Sequence, residues 1–453
     1  MTDATSSAPH ADRQTRRFFC KQAAGAAAAA LAFPAIVSAR SPNNKLNIGI
    51  IGAAGRGLAN TRTVESENIV ALCDVDEQHL SLAASRHPKA RRWVDYRKML
   101  EARRDLDAVV VSTTAHTHIY PTLLALDLRL PVYCEKPLAH TVYECRLVRE
   151  AAHKAGVPTQ MGIQIHASSN FRRVVELVRT QAIGSVREVH VWVARAWGDG
   201  GRPPGFYPVP SHLHWDLWLG PAPYRCYHPE YHPRRGGRGP GWYKFWDFGG
   251  GTLPDLGSHW NDLPFWALEL DAPQTIQAEG PPPDPDTAPA RMAVRYEFGP
   301  RGNRPPLVFY WYQGTTRPWH YQGSIPIPER YKNGVLFVGT GGALVADYRR
   351  HELLPKETFR DFEPPEPFIP NSPGHHAEWI LACKNGSPTG ADFDYASRLT
   401  EMNQLGVVAY RIGRAIQWDA ETMCVRNVPE ANALIIGTHR QGWELPKLQS
   451  HAA

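Results

Sequence analysis

The chain has 453 residues, 43% of them hydrophobic and 21% charged, with a formal net charge of +6. This composition excludes an intrinsically disordered chain and leaves room for two globular domains. The charge is too small to argue for nucleic acid: removing residues 1–39, with their four basic and two acidic side chains, leaves +4.

The N-terminus has its own grammar. Thr15-Arg16-Arg17-Phe18-Phe19-Cys20-Lys21 precedes an alanine-rich apolar run over residues 23–37, then Val37-Ser38-Ala39. Twin arginines, a mild apolar stretch and small residues at a cleavage point read as a twin-arginine export signal over residues 1–39. The expected partner is the twin-arginine export machinery, and the expected location is the periplasm or cell surface. A membrane-spanning helix competes with this reading, but a run made mostly of alanine and interrupted by Pro34 is short and weakly apolar for that task. The seven cysteines include no C-x-x-C pair, and Cys20 would leave with the signal. A chain exported after folding need not form disulfides.

The next stretch, Leu46-Asn47-Ile48-Gly49-Ile50-Ile51-Gly52-Ala53-Ala54-Gly55-Arg56-Gly57, is an apolar strand running into a tight turn and the start of a helix. That context makes the glycines a phosphate loop: Gly52 and Gly57 take the first and third positions of G-x-G-x-x-G, and Ala54 takes the second. A second strand over residues 69–73 ends at Asp74, which can accept hydrogen bonds from an adenosine ribose. Further apolar strands are expected over 107–111, 131–134 and 158–163, with helices over 76–86 and 141–155. Near-continuous apolar strands alternating with helices belong in a parallel sheet covered on both faces. Thr113, His116 and His118 follow the third of these five strands, at the carboxyl edge where open α/β sheets bind ligands. The two histidines either touch the nicotinamide ribose or substrate, or satisfy backbone groups in a helix-starting loop. Glu135-Lys136-Pro137 ends the fourth strand, where a lysine can reach a bound nicotinamide.

After a helix over residues 168–181, strands over 186–194, 291–298, 306–312, 335–339 and 343–348 come without intervening helices, implying a largely antiparallel sheet. Proline-rich spacers at 281–285 and 363–367 read as surface connections, and helices over 375–385 and 392–416 close the chain. The fold class is therefore α/β: an NAD(P)-binding Rossmann domain over 45–165 and an α+β substrate-binding and oligomerisation domain over 166–445 with a largely antiparallel open sheet. The basic cluster Arg234-Arg235-Gly236-Gly237-Arg238-Gly239 reads as a solvated loop.

Asp255 and His259, in Asp255-Leu256-Gly257-Ser258-His259, are spaced i, i+4 and share a face of a helix expected over 253–268, so the carboxylate could orient the imidazole. Thr252-Leu253-Pro254-Asp255 also has the spacing of a capping box, the structural alternative for Asp255. Eight of fourteen tryptophans lie between residues 192 and 266. Most are expected in a core or interface, with one or two stacking on substrate. His212, His214, His228 and His232 lack a matched carboxylate or cysteine set in the sequence, so no metal site is expected.

The glycine loop, Asp74, Glu135-Lys136-Pro137, and Asp255 with His259 together resemble the Gfo/Idh/MocA oxidoreductases, from about residue 45 to about residue 445. The resemblance implies that Lys136, Asp255 and His259 flank a sugar, cyclitol or polyol substrate. The cofactor site expected from the motifs comprises Gly52, Ala54, Gly55, Arg56, Gly57, Asp74, Thr113, His116, His118, Glu135 and Lys136. NAD is expected over NADP, because Asp74 repels a 2′-phosphate and Val75 supplies no cation to receive it. Oxidising an alcohol needs a proton acceptor, offered by Lys136 or His259, and an ammonium at Lys136 would also stabilise the alkoxide. The expected function is hydride transfer between nicotinamide and a carbohydrate or polyol, by a homo-oligomer that binds no nucleic acid. Export implies that the dinucleotide is held tightly. The alternatives are a glycoside hydrolase that oxidises its sugar transiently with no net redox change, and a non-catalytic nucleotide-binding protein.

Overall fold

The computed structural model describes residues 44–232, 241–302 and 304–448. The stretch over residues 1–39 expected to be an export signal and the Arg234–Gly239 cluster lie outside the described residues.

The N-terminal domain alternates strand and helix: β1 (Asn47–Ile51), α1 (Arg56–Thr63), β2 (Asn68–Cys73), α2 (Glu77–Arg86), β3 (Arg91–Trp93), α3 (Tyr96–Ala102), β4 (Ala108–Val111), α4 (Ile119–Asp127), β5 (Val132–Cys134), α5 (Val142–Ala155) and β6 (Thr159–Met161). All its strand pairings are parallel, in the order β3-β2-β1-β4-β5-β6. The order reverses between β1 and β4, so the loops after these strands open a crevice at the carboxyl edge. Ile48, Ile50, Val109, Val110 and Val111 are fully buried, as a sheet covered on both faces requires. β3 departs from the sequence reading, which left it out. Its Arg91-Arg92-Trp93 carries no apolar run because it is a short edge strand, where charge is favoured.

The second domain begins with α6 (Ser169–Arg179) and β7 (Val186–Val193), followed by a long excursion containing α7 (Trp215–Leu219). Then come α8 (Thr252–Trp260), α9 (Asp262–Ala267), β8 (Thr275–Glu279), β9 (Met292–Phe298), β10 (Leu307–Gln313), β11 (Gly334–Gly339), β12 (Ala343–Ala346) and β13 (His351–Leu354). The chain closes through α10 (His375–Asn385), α11 (Phe393–Ile412), β14 (Ile416–Asp419), β15 (Cys424–Val425) and α12 (Asn432–Ile436). Among the described residues the sheet has nine strands, ordered β13-β12-β11-β7-β10-β9-β8-β14-β15, mostly antiparallel with β7 and β10 parallel.

Two helix boundaries differ from expectation. The helix expected over 253–268 breaks at Asn261 into α8 and α9. The last long helix stops at Ile412, because Gly413 adopts the left-handed C-cap conformation with φ 66° and frees Ile416 to enter β14. Among the described residues no helix is long and apolar enough to cross a membrane.

Candidate functional site

The glycine loop is shaped by contacts that leave no room for side chains. Gly52 has φ 84°, and a Cβ there would lie 2.6 Å from the Ser112 carbonyl oxygen. A Cβ on Gly57 would lie 1.8 Å from the Gly52 carbonyl oxygen, so the third glycine seats α1 against the end of β1 rather than facing the crevice. The helix N-cap is Gly55 with no side-chain cap bond, which leaves the helix N-terminus available to an anion. Asp74, just beyond β2, accepts from the Ala53 amide at 2.8 Å and from the Asp76 amide at 2.9 Å, fixing loop and strand end together. Burial raises the Asp74 pKa.

These groups line one cleft of about 420 Å³. Gly52, Ala54, Gly55, Arg56 and Asp74 contribute to its walls, as do Thr113, His118, Glu135, Lys136 and His259. The loop contours fit a dinucleotide: positions where a Cβ would clash are glycine, and an acid stands one strand away.

Lys136 and Asp255 come together across the two domains, with the Nζ donating to Oδ1. The second carboxylate oxygen of Asp255 accepts from the indole Nε1 of Trp197 at 2.6 Å. Burial works against the Lys136 ammonium, but Asp255, Tyr243 and Glu135, with Asp255 first, together outweigh it and hold the lysine pKa above its ordinary value. The ring of Tyr243 lies 5.8 Å from the same Nζ. For His259 the opposite holds: burial, reinforced by the positive charges of Lys136 and Arg56, drives its pKa well below 6.5. The cleft therefore presents a charged amine and a neutral imidazole.

Several expectations need correction. Asp255 is spent on Lys136 and Trp197, and the buried Nδ1 of His259 has no partner among the described residues, so the carboxylate does not orient that imidazole. Nor does a capping box form, since Gly251 is the N-cap of α8 and the Thr252 hydroxyl accepts from the Trp197 amide at 2.6 Å. His116 does not line the cleft. Its ring packs against Trp218 and Phe248, with Nε2 3.2 Å from the Trp218 carbonyl, because the turn that precedes α4 carries it away from the crevice. His118 does line the cleft, but its Nδ1 and Nε2 lie 2.7 and 3.0 Å from the carbonyls of Pro137 and Thr113, so the ring braces the two loops. Glu135 is a buried hub, accepting from Asn60 Nδ2 and Gln164 Nε2, each at 2.9 Å, with Arg56 Nε at 3.3 Å. The imidazoles thought to lack a carboxylate have one: His232 Nε2 lies 3.1 Å from Asp76 Oδ2.

Sequence reasoning missed Tyr243 and Trp443 in the cleft wall, and Trp197 behind Asp255. Of the tryptophans in the 192–266 segment, Trp218 and Trp242 line the cleft, while Trp192, Trp215, Trp246 and Trp260 are buried in cores. Gly162 was also missed: a Cβ there would lie 2.6 Å from the Glu135 carboxylate, so its small size lets that hub form.

Residues 46–163 match the domain described as "Oxidoreductase family, NAD-binding Rossmann fold", the first domain of Gfo/Idh/MocA proteins, and residues 192–301 match the "C-terminal alpha/beta domain" of the same family. Inositol 2-dehydrogenase of Acidothermus cellulolyticus is 36% identical over 118 residues, covering 25% of this chain and 34% of the relative. D-apiose dehydrogenase of Paraburkholderia graminis is 32% identical over 124 residues, covering 27% and 33%. The match thus spans about a third of the length of these curated relatives. Among solved structures, the WlbA dehydrogenase from Bordetella pertussis in complex with NADH and UDP-GlcNAcA aligns with a TM-score of 0.58 at 17% identity, covering 83% of this chain and 99% of that one. GenD2 from gentamicin A biosynthesis, in complex with NAD, aligns at 0.55 and 19% identity, covering 85% and 100%. At such identities the likeness speaks for the fold.

Proposed function

The chain belongs to the Gfo/Idh/MocA oxidoreductase family, and on that premise we propose that it is a nicotinamide-dependent dehydrogenase acting on a hydroxyl of a sugar, cyclitol or related polyol. The observation that carries this reading is that Lys136, hydrogen-bonded to Asp255, lines the same cleft as His259 and the glycine loop, where the surrounding charges favour the ammonium and burial favours the neutral imidazole. A bound nicotinamide supplies the hydride acceptor. His259 takes the hydroxyl proton, a role open to it because its imidazole stays unprotonated. Lys136 stabilises the oxygen as negative charge develops, and Asp255 keeps that amine charged and aimed. Trp197 fixes the far oxygen of Asp255, so the pair is preset before substrate arrives. Asp74 takes the adenosine ribose and selects NAD. The relatives named inositol 2-dehydrogenase and D-apiose dehydrogenase support the substrate class. Residues 1–39 address the folded, cofactor-loaded protein to the outside of the cytoplasm.

The test is to incubate purified protein with NAD and a panel of cyclitols, free sugars and glycosides, following nicotinamide absorbance and aglycone release together. The expected result is reduction of nicotinamide by one class of polyol, seen as a stoichiometric burst on cofactor that the protein retains. Aglycone release without net reduction would replace the dehydrogenase by a hydrolase working through transient oxidation, and silence on both channels would overturn the enzymatic reading.

A further inference from the structure

The long excursion between β7 and α8 returns to the Rossmann domain beside Asp74. The Glu77 amide donates to the His212 carbonyl at 2.8 Å, the His214 amide to the Val75 carbonyl at 2.9 Å, and His214 Nε2 lies 2.7 Å from Glu77 Oε1. These contacts hold the strap against the start of α2, and they bring a second set of imidazoles to one buried carboxylate.

That carboxylate is Asp76, the N-cap of α2, which is 2% exposed. Its Oδ1 is occupied by the Gln78 amide at 2.8 Å, the His79 amide at 3.3 Å and His212 Nδ1 at 3.0 Å. Its Oδ2 faces two ring nitrogens: His232 Nε2 at 3.1 Å and His79 Nδ1 at 3.9 Å. The second distance is too long for a hydrogen bond. The same His79 Nδ1 stands 3.9 Å from Asp74 Oδ1, so this nitrogen points between two carboxylates and bonds to neither. The three donor atoms, Asp76 Oδ2, His79 Nδ1 and His232 Nε2, all lie within 4.8 Å of one another.

Two ligand atoms each about 2.0–2.1 Å from a tetrahedral ion stand roughly 3.3 Å apart. The two Asp76 Oδ2 separations bracket that spacing. The donor set itself points to the metal. Two imidazoles and one carboxylate suit a borderline divalent ion, while calcium and magnesium want oxygen ligands. The supporting groups are also those that hold ligands in place: His212 Nδ1 and two backbone amides anchor the non-ligating oxygen of Asp76. A dication there also offsets two acids, since Asp74 Oδ1 and Asp76 Oδ2 each stand 3.9 Å from His79 Nδ1.

We propose that Asp76, His79 and His232 form a binding site for a divalent transition-metal ion of the zinc class. The ion joins the strap, through His232, to α2 of the Rossmann domain, through Asp76 and His79. It works as a clip between two segments far apart in sequence. Three protein ligands leave a fourth position for water.

The experiment uses the full chain without a histidine tag, stripped with a chelator and free of added nucleotide, so that its result is independent of the dehydrogenase reading. Calorimetric titration with Zn²⁺ should show one ion per chain, and Co²⁺ should give the visible absorption of a low-symmetry nitrogen and oxygen site. Zinc should raise the melting temperature. His79→Gln and His232→Gln should each weaken zinc binding at least tenfold and remove the thermal shift, while His214→Gln, on the same strap but outside the donor set, should retain both. No stoichiometric zinc uptake at micromolar concentrations, or equal uptake by wild type and the His79→Gln/His232→Gln double variant, would overturn the site. Should the variants not fold, X-ray absorption of the zinc-loaded wild type decides: two imidazoles in the ion's shell support the assignment, and none or one refutes it.

Discussion

The Lys136 ammonium, two residues past β5, donates to the Asp255 carboxylate in the first turn of α8, a partner 119 residues along the chain and in the other domain. The pair ties the reacting end of the cleft to the relative placement of the two domains. Its charges also reach the titrating groups around it, the carboxylate favouring the lysine ammonium and the lysine disfavouring a charged His259.

Lys136→Ala should lower turnover by about a hundredfold or more while leaving dinucleotide affinity nearly intact, because the amine acts on the substrate oxygen and not on the pyrophosphate. Asp255→Asn should leave a buried amine without its counter-charge, so the lysine pKa falls and the pH profile of kcat shifts with it. Steady-state kinetics beside calorimetric NAD titration separate the two effects. Near-normal turnover in Lys136→Ala would remove the residue from the mechanism.

Much of this geometry was legible in the sequence, and the losses have physical causes. The parallel sheet announced itself because β1, β2, β4 and β5 are near-continuous apolar runs, and three of them end at a chemically marked residue: Gly52, Asp74 and Glu135. β3 was invisible because an edge strand needs no apolar run. Lys136, Asp255 and His259 were nominated by motif, but their pairing was not, because spacing along a helix suggested Asp255 beside His259 and could not show a lysine arriving from another domain. Tyr243, Trp197 and His79 reach the site from three separate elements, and no local pattern marks such convergence. The excursion after β7 gave no periodic signal, although it supplies part of the cleft wall.

NAD should bind at least about tenfold more tightly than NADP, since a 2′-phosphate would meet the Asp74 carboxylate. Arg56, the cation that could have received it, is committed elsewhere, with Nη2 donating to Gln164 Oε1 at 2.8 Å and Nε 3.3 Å from Glu135. Burial raises the Asp74 pKa, so acidification should neutralise the carboxylate early and narrow the preference. Paired titrations across pH check both statements, and tighter NADP binding at neutral pH would show that Asp74 does not face the ribose.

Acid should destabilise the fold in two stages. His116 and His375 are buried and held neutral, their pKa values lowered by burial to about 3. Unfolded histidine titrates near 6.5, so each takes up a proton on unfolding below that pH, and stability present above it is lost as pH falls. Burial raises Glu144 to about 7, which acts in the opposite sense: its proton is retained in the folded state and released on unfolding between about 7 and 4.3. For these three groups alone the net uptake is about one proton, or about 1.4 kcal/mol per pH unit, until Glu144 drops out near pH 4.3, and His140, His376 and His259, also held low by burial, steepen the loss in the same sense. Urea denaturation at a series of pH values measures the slope. Stability that stays level from pH 7 to 4 would contradict the assignment, and His375→Gln should flatten the curve.

The last expectation joins the proposed export signal to the cleft. A chain that crosses the membrane folded must carry its dinucleotide with it, because free NAD is scarce outside the cytoplasm. Leu217, Trp218 and His232 of the strap line the cleft beside the glycine loop, and Trp443 contributes from near the C-terminal end, so more than the glycine loop would have to let go of a retained dinucleotide. Protein recovered from outside the cytoplasm and then denatured should release about one NAD or NADH per chain into the supernatant. A cofactor held that firmly cannot exchange between turnovers. Each cycle must then return the hydride to a second, oxidising substrate bound in the same cleft, and the kinetics should show two substrates alternating on the NAD-loaded and NADH-loaded forms of the enzyme. Protein that emerges empty and works only with millimolar added NAD would refute retention.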